Sequence, residues 1–542
     1  MSLWLSILMP MGIGASIGAS LSEQPSTPRA PEVWLGDLRT EAKVTTVRIE
    51  VTSDVAGEVS LIPFGPAASL LAVSRRPSET VVDLDFGGRT LSIELPSGRD
   101  TVQGDLAPGE GASAVRFELR RLAGGGREES ESLEGIYEDA SSVLLVSRFG
   151  EFGKALFLTD LQSGEVGPLY PTGAGEWLWA GSVVSPVFPE RGRVVLSPAT
   201  GRTSAAPGKR RLQLSRAGAP TRSYRPRPLL RRALRFENEG IALAGTVLAP
   251  VRGRARAGIV MLHGSNDEDR DHIGPFALFF AAQGYVVLAY DKRGCGESSG
   301  DWKAASFGDL AADAASAVRT LRRQPEVDSR RVGLWAPSQG GWIAPLIAKG
   351  DATLAFAILH AGAAVTPAEQ GLQLVEAELR AYGFEAPEIE KAASLQRLSD
   401  EVTRERRPWT EYKARYDEAV AAGAEWIIAP AEEEGSWFRR FFRGIMDFDP
   451  RPHWAKVRCP VLALFGDRDW IVPADPNATL LPLAFPPKHR SLLTIRVLPN
   501  ANHLMLHAAK GVLAEYPSCD RFEPAYFDAI RSWLDQHVSS PR

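Results

Sequence analysis

One serine sits where its hydroxyl could act as a nucleophile: Ser338, in Trp335-Ala-Pro-Ser-Gln-Gly-Gly341. The stretch follows the apolar run 332–336 and precedes 342–348, which can be helical. A serine on a sharp strand-to-helix turn projects its hydroxyl above the sheet. The residues two before and two after it must be small, because the turn presses them together. Gly340 meets that demand, and Ala336 stands where glycine is commonest. The helix that starts here would aim free N–H groups and its positive dipole end at a developing oxyanion. A second turn complements the first. His263-Gly-Ser265 ends the apolar run 258–262, and the backbone N–H groups of Ser265 and Gln339 form the expected pair of oxyanion donors. His263 ends a central strand well ahead of the nucleophile and reads as structural. The Gly-rich turn 290–298 is not followed by Lys-Ser/Thr, so it reads as a loop lining the site and not as a phosphate cradle. A serine hydroxyl is a poor nucleophile at neutral pH until an imidazole takes its proton, and a buried carboxylate must orient that imidazole.

These residues need a scaffold. From 233 onward, short apolar runs alternate with helical stretches, the texture of a largely parallel sheet. Runs 258–262, 285–289, 332–336, 354–359 and 460–465 are continuous enough for strands covered on both faces. Between the last two lies a helical insertion of about ninety residues, too long for a plain loop and expected to fold as a cap over about 366–455. Thr366-Pro-Ala-Glu369 is its opening signal: a capping threonine, proline at the first helical position and glutamate three residues on. The aromatic run 435–442 suits an acyl pocket and a cap core equally well. Residues 30–216 read as a β-rich domain, with period-two alternation in 44–51, 80–85 and 115–120 and a possible second unit from near Gly135. No clear internal repeat is present, which disfavours a propeller. The basic, Pro-containing stretch 217–232 reads as a solvated linker.

Four ordered motifs carry a resemblance. His263-Gly-Ser265, Asp291-Lys-Arg-Gly-Cys-Gly-Glu-Ser298, Ser338-Gln-Gly-Gly341 and Gly466-Asp-Arg-Asp-Trp-Ile-Val-Pro473 together resemble the α/β-hydrolase family over roughly 233–537. The chain is most similar to bacterial esterase-type hydrolases with an added N-terminal β domain, near the acyl-CoA thioesterase and prolyl-oligopeptidase-like branches. A Trp34-Leu-Gly opening extends the likeness loosely into 30–216. The departures are Ala336 for glycine and Pro337 before the nucleophile, whose ring holds φ near −65°. The resemblance implies an α/β-hydrolase fold over 233–540: a mostly parallel central sheet with a helical cap insertion, behind an N-terminal β-rich domain. It also implies an acid after the strand that follows the cap. Asp469 occupies that place, with Asp467 as competitor. The base follows the next strand, in Pro499-Asn-Ala-Asn-His503, and the order Ser338, Asp469, His503 is the order this fold requires. His507 is one helical turn further on; His503, directly after the strand, is better placed to reach back over the elbow.

Composition bounds the rest. A chain of 542 residues with 44% hydrophobic content can bury full cores in two or three domains. The net charge of −4 gives no case for nucleic acid as a partner. Residues 1–22 are read as a signal peptide cleaved near Ala19, implying export to the periplasm or the medium; the alternative is a cytoplasmic chain, since no Lys or Arg precedes the apolar start and Pro10 interrupts it. No later run reaches the roughly 18 to 20 apolar residues of a membrane span. Cys295, Cys459 and Cys519 are scattered, with no metal-binding spacing, so neither a metal nor an organic cofactor is implied. The expected reaction is hydrolysis of a small-molecule acyl ester through an acyl-enzyme. The rivals are a prolyl-oligopeptidase-like peptidase, an acyl-CoA thioesterase and a non-catalytic binding scaffold.

Overall fold

The apolar runs of the C-terminal part become one eight-stranded sheet in a computed structural model. The structure describes residues 133–538, apart from 154, 174, 184–189, 198–209, 252–256 and 428–432, together with strands between 32 and 122. The signal segment expected at 1–22 lies outside the described residues. The strands are β1 (Leu229–Asn238), β2 (Ile241–Pro250), β3 (Gly258–Met261), β4 (Val286–Tyr290), β5 (Val332–Pro337), β6 (Ala357–His360), β7 (Val461–Gly466) and β8 (Leu493–Leu498). Their order is β1-β2-β4-β3-β5-β6-β7-β8. β2 runs antiparallel to both of its neighbours and the remaining pairs are parallel. This is the α/β-hydrolase arrangement. Composition explains the layering: β3 to β7 are buried along their whole length, whereas edge strands β1 and β8 carry exposed residues. Because the strands from β3 onward are parallel, the loops after them emerge at one edge of the sheet, and every candidate site residue lies on such a loop.

The helical insertion contains α4 (Pro367–Tyr382), α5 (Ala386–Thr403), α6 (Trp409–Ala421) and α7 (Trp437–Ile445), after α1 (Gly274–Ala282), α2 (Phe307–Arg322) and α3 (Gly340–Gly350) earlier in the chain. The Thr366 hydroxyl accepts the Glu369 N–H at 3.1 Å and the Glu369 carboxylate accepts the Thr366 N–H at 2.8 Å, which satisfies two of the orphan donors of α4. In α7, Phe438 and Phe442 stack at 5.6 Å and are fully buried, so this part of the aromatic run is cap core. Phe441 of the same helix meets the edge of Trp302 at 5.2 Å.

The β-rich part divides further. Eight antiparallel strands, from Gly135–Glu138 to Arg222–Arg227, close into a barrel with Leu144, Leu158, Trp177, Trp179, Leu212 and Tyr224 in its core. Earlier strands form a five-stranded and a three-stranded sheet. The structure corrects the expected linker at 217–232. Arg222–Arg227 is the strand that closes the barrel against Gly135–Glu138, and β1 already begins at Leu229. Its arginines do not mark solvated coil because the strand buries Tyr224 and the arginines find acids on the neighbouring strand and turn: Arg222 pairs with Asp139, and Arg225 and Arg227 with Glu138. The chain divides into two compact units, and the barrel unit includes Tyr516–Arg521, a short excursion within the expected range 233–540. Asp520 accepts the Val166 N–H on its carbonyl at 2.9 Å and the Arg191 guanidinium on its carboxylate at 2.8 Å. All three cysteines are buried free thiols. No helix among the described residues is long and apolar enough to cross a membrane.

Candidate active site

Ser338 follows the last residue of β5 and has a φ of +45°, in the left-handed region that a non-glycine residue adopts only when its surroundings enforce it. Pro337 is compatible with this turn. It ends the strand in register with His360, and its fixed φ suits extended backbone. The Ser338 N–H donates to the His360 carbonyl at 2.8 Å, and the Ser338 carbonyl accepts the Gly341 N–H at 2.8 Å. A Cβ on Gly340 would lie 3.1 Å from the Ala336 methyl and 3.3 Å from Pro337 Cδ, so the turn tolerates alanine on one side only while glycine stands on the other.

β7 ends at Gly466, where an added Cβ would fall 2.1 Å from the Ala501 carbonyl oxygen. That close approach brings the turn after β7 against the loop after β8. Asp469 lies in the first and His503 in the second, with Asp469 Oδ2 2.9 Å from His503 Nδ1. The other carboxylate oxygen of Asp469 accepts the N–H groups of Ile471 and Val472, both at 2.9 Å, and the side chain has no exposed surface. Asp467 is placed elsewhere: its Oδ1 accepts the Asn500 N–H at 2.6 Å and props the same loop from outside. His507 is half-exposed and pairs with Glu523 at 2.9 Å.

His360, at the end of β6, escaped the sequence reading. Its carbonyl holds the Ser338 N–H, its Nε2 lies 3.1 Å from the His503 carbonyl oxygen and its Nδ1 lies 2.8 Å from the Tyr526 hydroxyl. A carbonyl can only accept, so Nε2 carries the proton and Nδ1 accepts from Tyr526. Burial among the rings of Phe276, Trp335 and Tyr526, with His503 close by, pushes its pKa down to about 3 and keeps it neutral. One neutral histidine therefore ties the elbow to the His503 loop. The sequence marks it only as a polar residue ending an apolar run, which is a weak signal.

On the oxyanion side, neither the Ser265 N–H nor the Gln339 N–H has a hydrogen-bond acceptor among the described residues. The Gly264 N–H is taken by Glu268 Oε2 at 2.9 Å. His263 Nε2 lies 2.6 Å from the Tyr290 carbonyl, and burial pushes its pKa down to about 4, leaving a neutral structural ring. Among the described residues, no cluster of His, Cys, Asp or Glu could hold a metal ion.

Residues 253–508 match a family model described as serine aminopeptidase, S33. The chain is 29% identical over 138 residues to quorum-quenching protein AidA of Acinetobacter baumannii, a match covering 23% of this chain and 41% of that protein. It is 24% identical over 258 residues to an uncharacterized 31.7 kDa protein of the traX-finO intergenic region of Escherichia coli, covering 45% of this chain and 82% of that one. Among solved structures, an esterase of Pyrococcus furiosus aligns at 15% identity over 57% of this chain and 92% of its own, with a TM-score of 0.38.

Proposed function

We propose that this α/β-hydrolase cleaves carboxylic esters of small molecules through an acyl-enzyme on Ser338. His503 takes the Ser338 hydroxyl proton as Oγ attacks the acyl carbon. The N–H groups of Gln339 and Ser265 stabilise the resulting oxyanion. Collapse breaks the ester C–O bond, and the alcohol leaves with the proton held by His503. Water then attacks the acyl-enzyme, His503 takes its proton, and the acid departs as the proton returns to Ser338. Asp469 holds the imidazole in the tautomer with its proton on Nδ1 and stabilises the charged ring without being protonated itself.

The observation that carries this reading is the 2.9 Å contact between His503 and the wholly buried Asp469, in a loop tied through His360 to a serine at positive φ. A peptidase reading has one specific support, the description of the matching family model. Fluorophosphonate labelling tests the nucleophile, and a panel of p-nitrophenyl esters, peptide nitroanilides and acyl-CoAs tests the bond. Ser338→Ala is expected to keep its fold, lose the label and lose on the order of 10⁴-fold or more in kcat on the esters. A folded variant keeping a tenth of the activity refutes the nucleophile; turnover of nitroanilides alone replaces esterase with peptidase.

A further inference from the structure

Lys292 lies in the turn after β4 and is only 1% exposed. A lysine ammonium has three donors and no acceptor. All three find oxygens: the Gly264 carbonyl at 2.7 Å, the Asn266 carbonyl at 3.1 Å and Gln339 Oε1 at 3.1 Å. A further side of the ammonium faces the Trp302 ring, 4.0 Å from its centroid. The backbone of Lys292 is held too, since its N–H donates to the Glu268 carbonyl at 3.1 Å. Its neighbour Asp291 accepts both the N–H and the guanidinium of Arg270 at 2.8 Å.

The oxygens chosen are informative. Gly264 and Asn266 flank Ser265, and Gln339 follows Ser338, so one buried cation joins the two turns that carry the oxyanion donors. The Gly264 carbonyl and the Ser265 N–H belong to one planar trans peptide, in which they point in opposite directions. Anchoring that carbonyl on Lys292 therefore aims the Ser265 N–H away from the ammonium. A cation on the carbonyl side also polarises the peptide and strengthens its N–H as a donor. Glu268, taking the Gly264 N–H, holds the preceding peptide from its other side. Burial lowers the pKa of the ammonium to about 8, against the opposing pull of Glu268, Cys295 and Asp267, so all three donors are present at neutral pH.

We infer that Lys292 is a positioning residue that orients the Ser265 N–H and fixes the spacing of the oxyanion hole. The inference rests on Ser338 being the nucleophile. Lys292→Met keeps an unbranched side chain one heavy atom shorter and removes the three donors. On the full chain, its fluorophosphonate labelling rate and its kcat on p-nitrophenyl butyrate are both expected to fall on the order of 10²-fold. KM should stay within about threefold, as when an interaction made only in the transition state is lost. The inhibition constant of a trifluoromethyl ketone, which forms a tetrahedral oxyanion on the serine, should rise in step with the loss of kcat/KM. A purely structural role would lower Tm without that parallel. If the methionine variant does not fold, Lys292→Arg is read in the same way; its planar fork cannot meet the same three oxygens and about a tenfold loss is expected. Wild-type labelling with an equally reactive folded variant overturns the inference alone. Absence of label on the wild-type protein overturns the Ser338 reading and this inference with it.

Discussion

The barrel arginines and the buried charged residues around the candidate site find different kinds of partner. On the barrel, Arg222 faces Asp139, Arg225 and Arg227 face Glu138, and Arg193 faces Glu176, all as side chain to side chain with at least one partner substantially exposed. Such pairs gain little, because water screens the attraction and two long side chains lose freedom. At the loop edge of the catalytic sheet, Asp469, Glu268, Lys292, His263 and His360 are buried. There each is bound to main-chain N–H or C=O groups. A buried polar group without a partner is costly, so these bonds hold backbone and side chain to one geometry. The difference lies in the partners: these barrel arginines meet acids at a partly exposed surface, whereas the buried groups beside the candidate site fix the backbone of its loops.

The comparison breaks most visibly at the two histidines four residues apart. His503→Ala is expected to lose on the order of 10⁴-fold or more in kcat for ester hydrolysis, while His507→Ala, half-exposed and paired with Glu523, stays within about tenfold. Steady-state and burst kinetics on two equally stable variants decide it, and the reverse pattern would transfer the role to His507.

Acid should then separate the buried rings from ordinary histidines. His263 and His360 have folded pKa values of about 4 and about 3, both below the usual value near 6.5. Between about pH 6.5 and 5 the unfolded chain binds protons at these sites and the folded chain does not. Stability therefore falls as pH falls through that window, by up to about 1.4 kcal/mol per pH unit for each ring. Denaturant midpoints measured at several pH values check the sign, and a midpoint that rises on acidification contradicts it.

Gly466→Ala sharpens the comparison at the backbone itself. The new methyl meets the Ala501 carbonyl, so a loss of roughly 1–3 kcal/mol in unfolding free energy is expected, with reduced kcat as the His503 loop is pushed away. Calorimetry and kinetics on one sample would show whether the two changes travel together. Smallest of all, Arg222→Ala on the barrel should cost under about 1 kcal/mol and leave kcat unchanged. A larger cost in denaturant unfolding would mean that the barrel pairs position something after all.

Much of this molecule is written in contiguous residues. Apolar runs determined the buried strands β3 to β7, because a strand covered on both faces has no polar alternation to keep. Thr366 and Glu369 determined the start of α4, since a capping box closes within four residues. The small residues around Ser338 determined a tight strand-to-helix turn, and the order of four motifs carried the fold class. What remained needed partners far apart in the chain. Asp467 and Asp469 look alike in sequence; only the approach of Gly466 to Ala501 puts Asp469 beside His503 and Asp467 beneath Asn500. His360 has no local mark because its partners are Ser338, His503 and Tyr526, the last 166 residues away. Lys292 reads as one basic residue in a Gly-rich turn until folding brings three oxygens from two other loops around it. The stretch 217–232 reads as a linker because its arginines lie close together, and it becomes a strand because 222–227 pairs with Gly135–Glu138 to close the barrel, where Glu138 and Asp139 lie beside the arginines. Periodicity and caps act over a few residues and survive in any window of sequence; the partners of a buried charge are chosen by the packing of the sheet, and packing exists only in three dimensions.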